Sequence, residues 1–236
     1  MRTALITGTS KGIGRASALA FLREGYFVVG ISRTSAGIDN KNYTEIITDL
    51  SDTEKLCTVI KKLTAEYTFD VLVNNAGVGY YGLHENLSPQ QIHEIAAVNL
   101  EVPMLLCSML MKQLKASRGT IINISSVTAK KSANTHGAAY GASKAGLSGF
   151  SASLFEEVRK HGVRVITIHP DMTDTFLYRN AQFKADTSPG CSLTPENVAD
   201  AVIYAATQPE GINTADITIT PQFHRIARTK KGSEND

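Results

Sequence analysis

The chain has 236 residues, of which 42% are hydrophobic and 19% are charged, so we expect one sizeable folded domain with a full apolar core. The net charge of +2 is too small to favour a nucleic acid or a membrane surface as a partner. The three cysteines, Cys57, Cys107 and Cys191, lie far apart without a CxxC spacing, which predicts neither a disulfide framework nor a metal site and indicates a reducing compartment.

Short apolar runs alternate with amphipathic stretches along the chain. The predicted strands are residues 3–6, 27–31, 43–48, 71–74, 120–124, 163–169 and 217–219. The predicted helices are residues 12–23, 52–67, 140–160 and 195–207, with two more that begin near residues 89 and 103. This alternation predicts βαβ units and therefore a doubly wound parallel sheet with helices on both faces. Such sheets bind ligands beyond the carboxyl ends of their strands.

No composition break divides the chain, so we predict a single domain over residues 1–222 and a polar C-terminal tail over residues 223–236. The N-terminal apolar run is four residues long, too short for the core of a signal peptide. We expect no apolar stretch of membrane-spanning length. We therefore expect a cytoplasmic protein.

A glycine-rich junction follows the first predicted strand, with the sequence Thr7-Gly8-Thr9-Ser10-Lys11-Gly12-Ile13-Gly14. Glycines between a strand and a helix let the backbone turn sharply and approach a ligand, and the helix N-terminus favours a pyrophosphate. An ordinary glycine-rich turn is the alternative. The residues that we expect to contact a dinucleotide here are Gly8, Ser10, Lys11, Gly12, Ile13 and Gly14.

The end of the second strand bears on the choice of cofactor. A site selective for NAD usually has an acidic residue there, which binds the ribose 2′-hydroxyl, whereas an Arg accommodates the 2′-phosphate of NADP. This chain has Ser32 and Arg33 at that point, with Lys11 in the glycine-rich junction and no acidic residue before Asp39. Two cations favour NADP(H), and two solvated surface charges are the alternative.

Two further segments follow strands at the predicted ligand edge. Asp49 could accept a hydrogen bond from an adenine amino group while Leu50 packs on the ring, although Ser51 or Asp52 could equally serve as a helix N-cap. After the fourth strand, the small residues Asn75, Ala76 and Gly77 would let a cofactor lie across the sheet edge, and a simple turn would look similar.

Tyr140 and Lys144 are spaced i, i+4 and would share one face of a helix. The Lys charge would then favour the phenolate and lower the pKa of the Tyr toward the range where acid–base catalysis is efficient. A nearby Ser hydroxyl could hold a carbonyl or alcohol oxygen against the phenol. The alternative is a half-buried helix aromatic beside a solvated Lys.

Taken together, these motifs resemble the short-chain dehydrogenase/reductase family. TGxxxGxG stands at residues 7–14, NNAG at 74–77 and YxxxK at Tyr140 and Lys144, and Asn99 and Ser126 match the family's catalytic Asn and Ser. The resemblance spans residues 3 to about 220. It implies a single-domain Rossmann-like fold with about seven strands in the order 3-2-1-4-5-6-7, and hydride transfer with a nicotinamide cofactor.

The resemblance also implies residue roles. Tyr140 would be the general acid in reduction and the base in oxidation, and Lys144 would bind the nicotinamide ribose and lower the pKa of Tyr140. Ser126 would hold the substrate oxygen, and Asn99 would hold a water that links Lys144 to solvent. The residues after the sixth strand that would contact the cofactor are Pro170, Thr173 and Thr175.

The chain departs from the family pattern at two places. One extra residue lies between Ser126 and Tyr140, which leaves Ser125 as a lesser candidate for the active Ser. Asp171 stands where the family has Gly, so that it could tune cofactor affinity, attract a cationic substrate or point to solvent. Residues 176–183 are expected to form either a mobile substrate lid or a short packed helix, and His136 and the Tyr80–Tyr81 pair could also border the pocket.

The leading hypothesis is an NADPH-dependent oxidoreductase that acts on a small to medium carbonyl or alcohol substrate. The resemblance implies a homodimer or homotetramer formed through two long helices, at about residues 103–115 and 140–160. The alternative function is a non-catalytic NADP(H)-binding regulator on the same fold, since a fold alone does not establish catalysis.

Overall fold

The computed structural model describes residues 1–179, 181 and 183–228. Its strands are β1 Thr3–Thr7, β2 Phe27–Ser32, β3 Tyr43–Ile47, β4 Val71–Asn74, β5 Thr120–Ile124, β6 Arg164–Pro170, β7 Phe183–Ala185, β8 Asp216–Ile219 and β9 Ile226–Arg228. Its α-helices are α1 Gly12–Arg23, α2 Thr53–Glu66, α3 Pro89–Ala96, α4 Val102–Ala116, α5 Ala138–Val158 and α6 Pro195–Ala206. The predicted strands and helices are all present. Their ends differ from the predicted ones by at most two residues in most cases.

The main sheet has seven strands in the order β3-β2-β1-β4-β5-β6-β8, and every neighbouring pair is parallel. This confirms the predicted order, with β8 as the seventh strand. The central strands are buried on both sides because helices cover both faces, which explains their continuous apolar runs. The Rossmann-like fold class is therefore confirmed.

Two apolar cores flank the sheet. On one face α2, α4 and α5 pack through residues such as Leu56, Leu106 and Leu154. On the other face α1 and α6 pack through residues such as Phe21 and Val198. The two cores cover the faces of the sheet and leave the carboxyl ends of the strands as a free edge. The predicted motifs stand at this edge.

Side-chain caps fix where several helices begin. Asp52 caps α2 by accepting a hydrogen bond from the Lys55 backbone N–H at 3.0 Å, so the alternative capping role at this segment is realised. Thr194 and Asn197 form a reciprocal capping box at the start of α6. The start signal that the sequence contains at residues 194–197 is thus a true helix boundary.

The helices that begin near residues 89 and 103 form one continuous helical run, because a π-helical turn, Ala97–Glu101, joins α3 to α4. The combined run Pro89–Ala116 is long and apolar enough to cross a membrane by length and composition. Our expectation that no stretch approaches that length is therefore wrong. Half of its most apolar window is buried inside the domain, as in the core helix of a folded protein.

A small second sheet was not predicted. Strand β7 pairs antiparallel with β9, which places Phe183 opposite Arg228. Residues 226–228 form a strand within the segment that we expected to be a tail, so the expectation is wrong for these three residues. Residues 229–236 lie outside the described residues. The predicted lid at residues 176–183 contains a short 3₁₀ turn, Phe176–Tyr178, followed by the start of β7.

Candidate active site

A cleft of about 420 Å³ opens at the carboxyl edge of the main sheet. Among the predicted site residues, all but Gly14 and Asn99 line this cleft. Those that line it are Gly8, Ser10, Lys11, Gly12, Ile13, Ser32, Arg33, Asp49, Leu50, Asn75, Ala76, Gly77, Ser126, Tyr140, Lys144, Pro170, Thr173 and Thr175. Segments that are far apart in sequence therefore meet in one place.

Close backbone packing forms the floor of the cleft at the glycine-rich junction. Gly8 has φ +75°, and a Cβ there would lie 2.8 Å from Asn75 Nδ2. A Cβ on Gly14 would lie 2.1 Å from the Gly8 carbonyl oxygen, so Gly14 acts through packing behind the cleft. Thr7 Oγ1 accepts hydrogen bonds from the Asn75 and Ala76 backbone N–H groups, both at 3.0 Å, which ties the end of β1 to the end of β4.

Two cations, which follow strands β1 and β2 in the chain, line the cleft. The Lys11 ammonium lies 4.1 Å from the centroid of the Phe176 ring, and Arg33 Nη1 lies 3.3 Å from Glu94 Oε1. Both side chains are substantially exposed and line the cleft. The chemistry of this set, two cations beside a helix N-terminus and close-packed glycines, fits a phosphorylated dinucleotide.

Tyr140, Lys144 and Ser126 form a buried group at the opposite end. Tyr140 and Lys144 project from α5, and each is only 4% exposed. The Lys144 ammonium donates a hydrogen bond to the Ile124 carbonyl at 2.8 Å and lies 5.9 Å from the centroid of the Tyr140 ring. The alternative of a half-buried aromatic beside a solvated Lys is therefore wrong.

Burial dominates the electrostatics of this pair. It raises the pKa of Tyr140 to about 12, against the opposing effect of hydrogen bonds with the Ser126 and Tyr81 hydroxyls. It also lowers the pKa of Lys144 to about 8. Our expectation that Lys144 brings the pKa of Tyr140 down is thus not met by these side chains, because burial has the largest effect on the phenol and the groups that oppose it are the Ser126 and Tyr81 hydroxyls. At neutral pH Tyr140 is a protonated phenol and a potential proton donor.

Ser125 and Ser126 have different surroundings. The Ser125 hydroxyl donates to the Lys144 carbonyl at 3.0 Å and shares a hydrogen bond with the Ser148 hydroxyl at 3.0 Å, so it is committed to α5. The Ser126 hydroxyl accepts from the Thr128 backbone N–H at 3.2 Å and is close enough to Tyr140 to lower the pKa of its phenol. This geometry favours Ser126 as the active Ser, despite the extra residue before Tyr140.

Asn99 lies fully buried in the π-helical turn. Its Nδ2 donates to the Val78 carbonyl at 2.9 Å and to the Ser143 hydroxyl at 3.0 Å, while Oδ1 accepts from the Val78 N–H at 2.9 Å. The side chain therefore ties α5 and the loop after β4 to the π-helical turn. Such turns are frequent at functional sites. The predicted water contact of Asn99 stays a prediction.

Asp171, at the position where the family has Gly, does not simply point to solvent. Its Oδ1 accepts from the Met172 backbone N–H at 2.8 Å, and its Oδ2 lies 3.0 Å from His224 Nδ1. The carboxylate lines the cleft and is mostly buried. The segment after β8 thus contacts the site through a side-chain hydrogen bond that the sequence did not reveal.

An aromatic cluster surrounds Tyr140; the sequence pointed to the Tyr80–Tyr81 pair and to the predicted lid, without indicating which of their rings meet. The Tyr81 ring centroid lies 5.5 Å from that of Tyr140, 5.7 Å from that of Tyr178 and 5.3 Å from that of Phe183. Tyr178 and Phe183 are 5.4 Å apart. The available signal was aromatic residues in the loops after β4 and β6, but the loops could not be paired from sequence.

Comparison with known proteins identifies the family. Residues 2–185 match the short chain dehydrogenase family. The chain belongs to this family. An uncharacterized oxidoreductase of Staphylococcus epidermidis is 30% identical over 228 residues, which cover 93% of this chain and 97% of that one. The 3-oxoacyl-[acyl-carrier-protein] reductase of Escherichia coli is 31% identical over 219 residues, which cover 87% and 89%.

Solved structures agree with this assignment. A metagenomic short-chain oxidoreductase in complex with NADP is 32% identical, with a TM-score of 0.77 and coverage of 93% of this chain and 97% of that one. An alcohol dehydrogenase of Thermococcus sibiricus has a TM-score of 0.84 at 24% identity, over 95% of this chain and 98% of that one, a likeness that concerns the fold alone. The short-chain dehydrogenase described here is thus an oxidoreductase by family.

Proposed function

We propose that this short-chain dehydrogenase is an NADPH-dependent reductase that interconverts a small to medium carbonyl compound and its alcohol, with Tyr140 as general acid and base. The observation that carries the proposal is the buried group of Tyr140, Lys144 and Ser126 at one end of the cleft. The glycine-rich junction and two cations stand at the other end of the same cleft. A dinucleotide placed along the cleft would reach from the cations to the phenol.

The cofactor, when bound, would supply the hydride in reduction and accept it in oxidation. The residues that would hold its pyrophosphate are those of the junction around Gly12, and Leu50 and Asp49 would contact the adenine. Thr175 and Pro170 would border the nicotinamide end.

The proton chemistry belongs to the protein. Because burial raises the pKa of Tyr140 to about 12, the phenol keeps its proton at neutral pH and can donate it to a carbonyl oxygen. The Ser126 hydroxyl would hold that oxygen against the phenol. Lys144, whose pKa is about 8, is mainly charged at neutral pH and would stabilise the phenolate left after proton donation. The protonated phenol and the charged Lys144 are the states that proton donation to a carbonyl requires near neutral pH.

The preference for NADPH over NADH rests on Arg33 and Lys11, which could contact a 2′-phosphate. The solved short-chain oxidoreductase at 32% identity was obtained in complex with NADP, which supports the same choice. We expect Arg33→Asp to weaken NADPH binding and to leave NADH binding nearly unchanged. Equal use of the two cofactors by the unmodified protein would contradict the preference.

The second candidate is a regulator that binds NADP(H) without turnover. The experiment that separates the two follows NADPH oxidation against a panel of ketones, aldehydes and keto acids, with Tyr140→Phe and Tyr204→Phe compared. Tyr204 is exposed on α6 and does not line the cleft, so its variant controls for removal of a phenolic hydroxyl. Turnover that is lost only in Tyr140→Phe supports the enzyme, and tight NADPH binding without turnover on any compound supports the regulator.

We also propose that the protein forms a homodimer or homotetramer through α4 and α5. Met104 on α4 is a partly exposed apolar side chain on this surface. Light scattering coupled to size-exclusion chromatography measures the mass directly. A monomer at micromolar concentration would contradict this proposal.

A further inference from the structure

A buried His next to the reaction centre has no part in the chemistry proposed above. His169 stands near the end of β6 and is 1% exposed. Its Nε2 lies 2.8 Å from Asp216 Oδ2 on β8, and its Nδ1 lies 3.1 Å from the carbonyl oxygen of Ser126. A single side chain therefore joins the last strand of the main sheet to the backbone of the candidate active Ser.

The two partners determine how the imidazole is bonded. A carbonyl oxygen only accepts hydrogen bonds, so Nδ1 must carry a proton to make this contact. Nε2 faces the Asp216 carboxylate, which holds the far edge of the ring. The imidazole therefore bridges Ser126 and β8, with Nδ1 as the donor to the carbonyl.

Asp216 is ionised in this arrangement. Burial alone would raise the pKa of its carboxyl, but a hydrogen bond from Lys130 and the charge of His169 outweigh burial and hold that pKa below its usual value. Lys130 donates to Asp216 and also to the Thr218 hydroxyl, at 2.7 Å for the latter. Both Lys130 and Asp216 are about half exposed, so the outer end of the chain of contacts meets solvent.

The contact to Ser126 acts at a sensitive place. The Ser126 carbonyl also accepts from the Ala129 backbone N–H at 3.0 Å, which closes the 3₁₀ turn Val127–Lys130. The His169 contact comes from a different element, β6, and so limits how the Ser126 peptide can tilt. A tilt of that peptide would move the Ser126 hydroxyl relative to the Tyr140 phenol.

We propose that His169 is a positioning residue, which clamps the Ser126 carbonyl to Asp216 and so holds the Ser126 hydroxyl at the reaction centre. The proposal rests on the proposed role of Ser126 in the function described above. It assigns no proton transfer to His169, because a carbonyl oxygen cannot relay a proton to the Ser hydroxyl. The effect is one of placement, and a displacement of about 1 Å near a reacting group can lower a rate by about 100-fold.

A double-mutant cycle tests the proposal, with His169→Leu made in the wild-type protein and in Ser126→Ala. If His169 acts only through the Ser126 hydroxyl, His169→Leu lowers kcat/KM by about 10- to 100-fold in the wild type. In Ser126→Ala the same substitution lowers kcat/KM by less than about 2-fold. NADPH affinity, measured by calorimetry, is expected to stay unchanged in all four proteins. Exposed His161, replaced by Leu, is the matched control.

Several outcomes would overturn the proposal. An equal loss of kcat/KM from His169→Leu in both backgrounds means that the residue acts on the fold and not through the Ser126 hydroxyl. Full activity of Ser126→Ala removes the role of Ser126 itself, which is a failure of the proposed function and is recognisable as such. Nitrogen NMR of the His169 ring is expected to find Nδ1 protonated, and an unprotonated Nδ1 contradicts the hydrogen bond to the Ser126 carbonyl.

A second variant keeps the test valid if His169→Leu does not fold. Asp216→Ala removes the outer partner at a half-exposed position, and we expect a loss of about 3- to 10-fold in kcat/KM that again disappears in Ser126→Ala. Asp216→Asn offers Nε2 a neutral partner and is expected to lose less activity than Asp216→Ala. Equal losses in these two variants, or a loss that persists without the Ser126 hydroxyl, would contradict the clamp.

Discussion

The two ends of the cleft are built in different ways. At the cofactor end, contiguous motifs bring backbone and small side chains together, and the clash that a Cβ on Gly14 would make with the Gly8 carbonyl indicates how tightly they pack. At the substrate end, the rings around Tyr140 come from separate segments, with Tyr81 after β4 and Tyr178 and Phe183 after β6. Backbone geometry thus shapes one end and side-chain identity shapes the other.

This difference separates the tasks of the two ends. A substitution at the cofactor end is expected to change NADPH affinity with little effect on proton transfer. A substitution at the substrate end is expected to change turnover or substrate affinity with little effect on NADPH. If a substitution at either end changed both quantities, the two ends would not be separable.

Tyr140→Phe removes the proton donor and keeps the ring. We expect kcat to fall by about 100- to 10,000-fold, the usual range for loss of a positioned general acid, while the dissociation constant of NADPH stays within about 2-fold. Steady-state kinetics and calorimetry measure the two quantities. A comparable loss of NADPH affinity would mean that the two ends are not separable at Tyr140.

Lys144 lies where the two ends meet, and its burial has a consequence for stability. Its folded-state pKa of about 8 is below the usual 10.5, so between these values the unfolded chain binds more protons than the folded one. The free energy of unfolding is therefore expected to gain up to about 3 kcal/mol from this group as pH rises from about 8 to 10.5.

Denaturant unfolding at several pH values checks this expectation, preferably between pH 8 and 10, because the raised pKa of Tyr140 acts in the opposite direction above pH 10. Lys144→Met is expected to remove the rise that Lys144 contributes. Exposed Lys112, replaced by Met, is the matched control. The same pH dependence in both variants would contradict a buried, partly deprotonated Lys144.

Arg33→Ala tests the cofactor end alone. The loss of a charge-assisted hydrogen bond to a phosphate corresponds to about 1.5–3 kcal/mol, or about a 10- to 100-fold weaker binding of NADPH. NADH binding and the kcat at saturating NADPH are expected to change by less than about 2-fold. Glu94→Gln, which removes the ion-pair partner of Arg33, should instead tighten NADPH binding slightly. A large fall in kcat would show that Arg33 serves both ends.

Tyr81→Ala tests the substrate end alone. Loss of its contacts with three aromatic rings is expected to raise the KM for the carbonyl substrate by about 5- to 10-fold, in keeping with about 1 kcal/mol for aromatic packing. NADPH affinity should not change. Tyr204→Ala, at an exposed Tyr, is the control. If NADPH affinity falls as much as substrate affinity, Tyr81 supports the whole cleft and not one end.

The same contrast explains how much the sequence could predict. The glycine-rich junction, Arg33 and the Tyr140–Lys144 pair are local signals. The alternation of strands and helices predicted a parallel sheet, and the family resemblance supplied its strand order. Their positions along one cleft follow from the rule that ligands bind at the carboxyl ends of parallel strands.

Contacts between distant loops could not be anticipated in this way. The pairing of β7 with β9 and the contact of Asp171 with His224 depend on how the C-terminal segment returns over the cleft. The pKa of Tyr140 depends on burial, which i, i+4 spacing does not encode, so the Lys144 charge was given too much weight. The continuous run Pro89–Ala116 arose because a π-helical turn bridges a point that looked like a helix boundary.

The most direct test of the proposed function follows the transferred hydrogen. NADPH deuterated at both C4 positions is incubated with the purified protein and the carbonyl panel, and the products are analysed by mass spectrometry. We predict an alcohol that carries one deuterium on its former carbonyl carbon, formed by the wild type and the Tyr204→Phe control and reduced by at least about 100-fold in Tyr140→Phe. Tight NADPH binding with no labelled alcohol from any member of the panel, or equal labelling by Tyr140→Phe, would contradict the proposed function.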